Sequence, residues 1–435
     1  MRTSVKSLGV GIASAVFAAS ALAEGDIYVV PKNENATAPY DTWATASANI
    51  VDAINNAAPS STVHVAAGLY LTTSSIVVPL GVKVLGATGN PDDVTIDSQF
   101  TKATYITSST RTITATKGDA YIANITIRGG HIRGSSSTTA WGGGLSLGNG
   151  GTVSNCHITA CRTKAYAGGA GMYINGANAF DVLVDCCTNA PVDTDSSRTV
   201  GYAVSVSGAS LVERCQIINN VATTGRANNQ YFGGGALAIQ NISNASKYKD
   251  TCLVRNCLVA HNTIQNVLNA NNGILASGVW AYGGTVENCT IVSNVTAGAD
   301  SATFGVKLHE TTTPSAIFRN CHIADNYRGD GTTNNYSTSS TSAASDYYKY
   351  FEYCCTTPLH AKFTKCVLDD TSKYGFDSKG RLFIQKDSPC FGAASAQAWM
   401  EGAKDLYGRA RILNGACDIG AVEYMNAFGT IIFVR

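Results

Sequence analysis

Apolar and polar side chains alternate over short stretches of this chain, and the alternation breaks at the same internal place each time. In Val286-Glu287-Asn288-Cys289-Thr290-Ile291 the residues Val286, Cys289 and Ile291 point to one side, as in a strand buried on one face, while Asn288 interrupts the pattern as a bend does. Asn155-Cys156-His157-Ile158, Arg214-Cys215-Gln216-Ile217, Asn256-Cys257-Leu258-Val259 and Asn320-Cys321-His322-Ile323 repeat it. Weaker copies stand at Asp185-Cys186 and Lys365-Cys366, and Asn124-Ile125-Thr126-Ile127 carries Ile in place of the cysteine. From Ile125 through Cys156, Cys186, Cys215, Cys257, Cys289 and Cys321 the steps are 31, 30, 29, 42, 32 and 32, with 45 more to Cys366. Self-similarity at such a period marks a solenoid.

Five residues after the marker cysteine comes a second asparagine, at Asn220, Asn262, Asn294 and Asn326. Its amide tolerates a left-handed turn and can hydrogen-bond its copy one coil away, so a ladder of asparagines is expected. A further strand precedes each rung and begins in glycine, as in Gly142-Gly143-Gly144-Leu145-Ser146-Leu147, Gly233-Gly234-Gly235-Ala236-Leu237-Ala238-Ile239 and Phe304-Gly305-Val306-Lys307-Leu308. Turn, strand, loop, bent strand and Asn turn, in that order, describe a parallel β-helix. Ahead of the repeats, Ile50, Val51, Ile54 and Ala57 fall at helical spacing behind the caps Asp41 or Thr42, which predicts a helix closing the end of the solenoid.

The outward positions carry the candidate chemistry. In the strand after each glycine turn they read Ser146, Tyr173, Ser205, Ala238, Trp280 and Lys307 in successive coils. Trp280 is expected to be covered by the loops 263–273 and 296–303, or else open to a sugar ring stacked on the indole. Tyr173, Trp280 and Lys307 are accordingly the candidate substrate-binding residues. Just before the bend, Glu213, Arg255, Glu287 and Arg319 form a row alternating in sign, which stabilises register between rungs. His157 and His322 follow their marker cysteines and are expected to face solvent. The tyrosine-rich Tyr347-Tyr348-Lys349-Tyr350-Phe351 reads as local packing that ties a loop down.

Met1 to Ala23 has Arg2 and Lys6 before an apolar run, then Ala21-Leu22-Ala23, which reads as a signal peptide cleaved after Ala23 and predicts a secreted, periplasmic or cell-surface protein. No stretch reaches the ~20 apolar residues of a spanning helix. Without Arg2 and Lys6, 29 basic residues face 30 acidic ones, a balance of −1 that argues against nucleic acid as a partner. Of the 14 cysteines, the marker column is expected to stack as thiols in the core, since parallel neighbours in register rarely give good disulfide dihedrals. Cys161, Cys187, Cys252, Cys354, Cys355, Cys390 and Cys417 lie off that column and are the candidates for bonding. No Cys/His set has zinc spacing, so no metal site is predicted. Asp193-Thr194-Asp195-Ser196-Ser197 starts like a calcium loop but has Arg198 where glycine belongs and Val204 where glutamate belongs. The pattern divides the chain into a signal peptide (1–23), N-terminal cap and first coils (24–100), central repeats (101–326), a loop insertion (327–353) and last coils with a C-terminal cap (354–435).

Tyr40-Asp41-Thr42-Trp43, Val51-Asp52-Ala53-Ile54, Thr62-Val63-His64-Val65 and Gly68-Leu69-Tyr70 resemble the opening of exported right-handed parallel β-helix proteins of the pectin-lyase-like superfamily. Gly233-Gly234-Gly235-Ala236 and Phe318-Arg319-Asn320 resemble the repeats of polymorphic outer-membrane proteins. Ser388-Pro389-Cys390, Asp405 to Arg411 and Asp418 to Tyr424 resemble the closing segment of choice-of-anchor β-helix proteins. The resemblance implies an all-β, single-stranded right-handed parallel β-helix with an N-terminal capping helix. It implies two function classes: a structural, adhesive or glycan-binding protein of the cell surface, or a polysaccharide lyase or glycoside hydrolase acting on acidic polysaccharide. A lyase of this fold needs acidic residues that hold Ca²⁺ and a Lys or Arg base, and a hydrolase needs paired carboxylates. No such set stands out, so no catalytic residue is assigned, no cofactor is expected outside the Ca²⁺ of the lyase alternative, and the expected form is a monomer whose partner is a polysaccharide.

Overall fold

The computed structural model describes residues 25–101, 109–133, 141–164, 168–189, 202–223, 235–239, 252–265, 275–297, 303–308, 316–337 and 350–425. Four parallel sheets form a rod, and each central coil contributes one strand to each in turn. The coil around the marker Cys289 shows the order. Leu275–Ala281 lies in an eight-stranded glycine-turn sheet, Gly284–Glu287 in an eleven-stranded pre-bend sheet, Thr290–Val292 in an eleven-stranded post-bend sheet and Val295–Thr296 in a seven-stranded sheet after the asparagine. Eleven rungs at ~4.8 Å give a rod about 50 Å long. The one antiparallel pair of strands, among the described residues, is the hairpin Tyr374–Phe376 with Leu382–Ile384.

Why the chain bends where it does is visible in its backbone. Asn124, Asn155, Arg214, Asn256, Asn288, Asn320, Tyr353 and Lys365 all have φ between 47° and 61°, the left-handed region that asparagine tolerates best. At the second turn the left-handed residue is not the stacked asparagine but the one before it: Asn219, His261, Ser293 and Asp325. That leaves Asn220, Asn262, Asn294 and Asn326 pointing inward, fully buried, each amide hydrogen-bonded to the next. Asn335 then ends the ladder by accepting from the Asn326 backbone N–H. Glycine is required at the turn into the other sheet, where a Cβ on Gly144 would lie 2.7 Å from the Gly171 carbonyl oxygen and 2.8 Å from Cys161 Sγ.

The marker column is buried as expected, with one reassignment. Ser154 pairs with Phe180 and His157 with Leu183, so the inward position of that coil belongs to Val182, not to Cys186. Cys186 sits exposed in the following left-handed turn, while Cys187 occupies the asparagine position above Cys161 and donates its backbone N–H to Asn220 Oδ1. Each buried thiol in the marker column points to a carbonyl of the preceding coil, as Cys289 Sγ does to Val254 O at 3.6 Å. Cys354, expected off the column, continues it beyond Cys321, because Phe318 pairs with Phe351. All 14 cysteines are free thiols, including the seven candidates for bonding.

The N-terminal helix is shorter than its periodicity predicts. It spans Ile50–Asn55, buries Ile50, Ala53 and Ile54, and is capped by Asn49 through the N–H groups of Val51 and Asp52 instead of by Asp41 or Thr42. No described helix is long and apolar enough to cross a membrane. The signal-peptide reading at Met1 to Ala23 and the partial calcium loop at Asp193 to Ser197 lie outside the described residues.

The charge row is stacked in register and extends one rung further: Glu213 pairs with Arg255, Arg255 with Glu287, Glu287 with Arg319 and Arg319 with Glu352. Glu287 is only 4% exposed and takes Arg255 at 3.3 Å and Arg319 at 2.7 Å. A pair so shielded is worth more than a surface one, and removing its charge takes the carboxylate partner from Arg255 and leaves Arg319 with Glu352 alone. Glu287→Gln is therefore expected to cost about 1–3 kcal/mol and Glu287→Lys about 3–5 kcal/mol in urea unfolding. Two variants with the parent's midpoint would show that the row carries no stability.

Candidate functional site

The outer row of the glycine-turn sheet is the candidate site. Thr114, Ser146, Tyr173, Ser205, Ala238, Trp280 and Lys307 stand opposite one another in successive rungs. Their flanking neighbours face the core: Leu145 and Leu147, Met172 and Ile174, Val204 and Val206, Leu237 and Ile239, Val279 and Ala281, Val306 and Leu308 are all buried. Alternation along the strand thus places Tyr173, Trp280 and Lys307 on one row, with Tyr173 and Trp280 three rungs, or ~14 Å, apart.

At its C-terminal half the row is closed. Trp280 is 4% exposed, stacked on Tyr202 at 5.9 Å and met edge-on by Tyr282 at 4.6 Å. Lys307 is 3% exposed and donates to Ser337 Oγ at 2.9 Å. Ser337 reaches it because the residues after Gly331 fold straight back: Gly305 and Val306 donate to the carbonyls of Asn334 and Asn335, and Ser337 donates to that of Val306. An open Trp280–Lys307 face is therefore ruled out, since aromatic neighbours and this returning segment remove it from solvent.

The accessible part lies at the other half. Tyr173 is half-buried, packs on Trp141 with ring centroids 5.1 Å apart, and shares a hydrogen bond with Ser207 Oγ at 3.3 Å. Burial raises its phenol above the ordinary value. Beside this pair, Arg111 donates from Nε and Nη2 to the Trp141 carbonyl, from Nε to the Gly142 carbonyl and from Nη1 to Thr114 Oγ1. A half-buried guanidinium is so fixed next to two rings, with exposed Asn175 one position beyond Ile174. Neither Arg111 nor Trp141 is singled out by sequence reasoning. Both precede their strands instead of alternating within them, although Trp141 directly before Gly142-Gly143-Gly144 was the available signal.

Several charged groups elsewhere are tied to one another. On the post-bend sheet His157 Nε2 is 2.9 Å from Asp185 Oδ1, and Arg128 is 2.6 Å from Asp97. Burial disfavours the Asp185 carboxylate, but hydrogen bonds from His157 and Thr159 outweigh it and hold the group below the usual range. His322, expected in solvent, is instead buried against Asp369, Cys355 and Cys390, the one group of metal-competent side chains among the described residues. Burial opposes its imidazolium, yet Cys390 and Asp369 raise it to about 9, a sign of an anionic pocket.

Among solved structures the chain is similar to the pectate lyase Pel9A, with a TM-score of 0.51 at 12% identity over 93% of this chain and 97% of that one. The chain has the right-handed parallel β-helix fold. It also aligns with a pectin methylesterase from carrot, at TM-score 0.32 and 10% identity over 73% of this chain and 88% of that one. Pectin methylesterase PemA from Erwinia chrysanthemi aligns at TM-score 0.34 and 12% identity over 73% and 91%. No protein-family model and no curated protein sequence matches the chain.

Proposed function

We propose that this β-helix binds an acidic polysaccharide, of the pectic class on which its structural neighbour Pel9A acts, and holds it without cleaving it. The observation that carries the reading is the partly buried Trp141–Tyr173 pair beside the Arg111 guanidinium on a rigid sheet. Aromatic faces suit the apolar face of a sugar ring and a guanidinium suits a uronate carboxylate. The outer row from Thr114 to Lys307 contains no carboxylate, so it offers neither the acidic ligand set of a calcium-dependent lyase nor the carboxylate pair of a hydrolase. A surface-displayed rod, as the resemblance to polymorphic outer-membrane repeats suggests, fits the same reading.

Affinity electrophoresis in polygalacturonate tests it, run beside an absorbance screen for unsaturated uronate. Retardation of the parent is expected, and Tyr173→Ala should weaken binding by about fivefold to tenfold, equivalent to ~1–1.4 kcal/mol. Trp280→Ala should instead lose about 3–5 kcal/mol of stability, since it empties a buried aromatic site. Absorbing product would assign the chain to the lyases, and unretarded migration in every acidic polysaccharide would end the proposal.

A further inference from the structure

Four side chains meet near the C-terminal end of the rod, away from the row just described: His322, Cys355, Asp369 and Cys390. His322 and Cys355 hold the same outward position on successive rungs of the post-bend sheet. Asp369 follows the next rung, Val367–Leu368, with its backbone N–H on the Thr356 carbonyl. Cys390 arrives from the C-terminal segment, whose Ile419 N–H bonds the Cys390 carbonyl. The donor atoms of all four lie within 4.8 Å of one another. His322 Nε2 is 2.7 Å from Asp369 Oδ1, and Cys355 Sγ is 3.4 Å from that same oxygen.

Solvent does not serve these groups. The side chains of His322 and Asp369 are each 1% exposed, and Cys355 and Cys390 are fully buried. Asp369 Oδ2 and His322 Nδ1 are buried with no hydrogen-bond partner. A buried carboxylate oxygen left unpaired is costly, and such an atom calls for a missing partner. From this geometry we infer that His322, Cys355, Asp369 and Cys390 bind one Zn²⁺ as a closed structural site.

Bond lengths of ~2.0–2.3 Å place the ligand atoms of a tetrahedral zinc ~3.3–3.8 Å apart, well inside the observed spread. The His322–Asp369 contact is shorter than that edge, so the cation replaces this hydrogen bond and the two groups part by somewhat under ~1 Å. Two thiols select zinc over the hard cations Ca²⁺ and Mg²⁺. Binding releases the thiol protons and any imidazolium proton to solvent. Four protein donors and burial leave no open position, so the ion staples the C-terminal segment to the last rungs and does no catalysis. A Cys355–Cys390 disulfide would use two of the four donors and leave Asp369 Oδ2 unmet. Spacing motifs miss the set because its members are spread from 322 to 390 and come from four separate places in the chain.

The test is zinc content by mass spectrometry on the full chain, purified without reductant, incubated with Zn²⁺ and dialysed. About one zinc per chain is expected, with thiolate-to-metal absorption when Co²⁺ replaces it. Cys186→Ser, which removes an exposed thiol, should keep the metal, and Cys390→Ser should lose it. Should Cys390→Ser fail to fold, the nearly isosteric Asp369→Asn decides, with zinc affinity expected to fall by more than about tenfold. A chelator should lower the melting temperature of the parent. Metal-free protein after incubation, a Cys355–Cys390 disulfide in the peptide map of soluble protein, or full zinc retention by Asp369→Asn would each overturn the site.

Discussion

A chain truncated before Asp405 aggregates instead of giving a soluble, shorter rod. The closing segment lies along the flank of the solenoid. Leu258, Ala260, Val292, Ala324 and Cys355, all outward on the post-bend sheet, pack against Leu382, Ile384, Cys390, Leu406, Ile419, Ala421 and Val422. Asn288 Nδ2 donates to the Asp418 carbonyl, Gly420 N–H to the Asn320 carbonyl and Ala421 N–H to Thr290 Oγ1. Truncation bares this apolar strip on a parallel sheet, the kind of surface that seeks another chain. Within the segment Arg411 is fully buried, paired with Glu423 at 2.8 Å and bonded to the Gly420 carbonyl at 2.7 Å, while Arg409 holds Asp405 at 2.9 Å. Arg411→Met roughly keeps the volume but leaves the buried Glu423 carboxylate without its cation, held only by the Asp418 backbone N–H, at an expected cost of about 3–5 kcal/mol. Light scattering on the truncation and urea unfolding of Arg411→Met check both statements. A monodisperse truncated monomer, or an Arg411→Met midpoint equal to the parent's, would contradict the role assigned to the segment.

Asn294→Leu is expected to lose about 3–5 kcal/mol, as several buried hydrogen bonds vanish together. Asn294 Nδ2 donates to the carbonyls of Val259 and Val292 and to Asn326 Oδ1, and its own Oδ1 accepts from the Asn262 backbone N–H and side chain. Leucine fills the volume but leaves the buried Asn262 backbone N–H without its acceptor and removes the side-chain donor from the Val259 and Val292 carbonyls, and a stranded donor costs more than the bond itself contributed. A terminal position tests the logic: Asn335 ends the ladder and also donates to the Thr357 carbonyl, so fewer ladder neighbours depend on it. Asn335→Leu should therefore cost less than Asn294→Leu in the same unfolding assay. Equal, small losses below ~1 kcal/mol at both sites would mean the ladder is only a by-product of the turn.

Several errors of the sequence reading share one cause. Cys186 was the cysteine at the right distance, yet Val182 takes the inward position, because a valine fills that slot as well as a thiol and the coil is shorter than its neighbours. Cys354 sits in the column and Cys355 beside it in the zinc cluster, which no spacing rule distinguishes. Side-chain chemistry points to the stacked asparagines for the left-handed turn, whereas Asn219, His261, Ser293 and Asp325 adopt it. In each case the pattern identified the right rung and missed by one to four residues. A bend moves which neighbour points inward, and composition does not mark the bend itself.

The sequence by itself determined the rung: its strands, its bend, its inward column, its alternating charge row and the register in which Tyr173, Trp280 and Lys307 fall on one line. Those features repeat with the coil and depend on alternation and turn chemistry within some thirty residues, so local physics is enough to specify them. Only the tertiary structure decided what covers each outward position. Trp280 disappears beneath Tyr202 and Tyr282, Lys307 is met by Ser337, Trp141 and Arg111 flank Tyr173, and His322 is enclosed by a segment that begins after residue 380. Burial of an outward side chain depends on contacts between residues far apart in the chain, and alternation carries no record of which distant segment will lie over it.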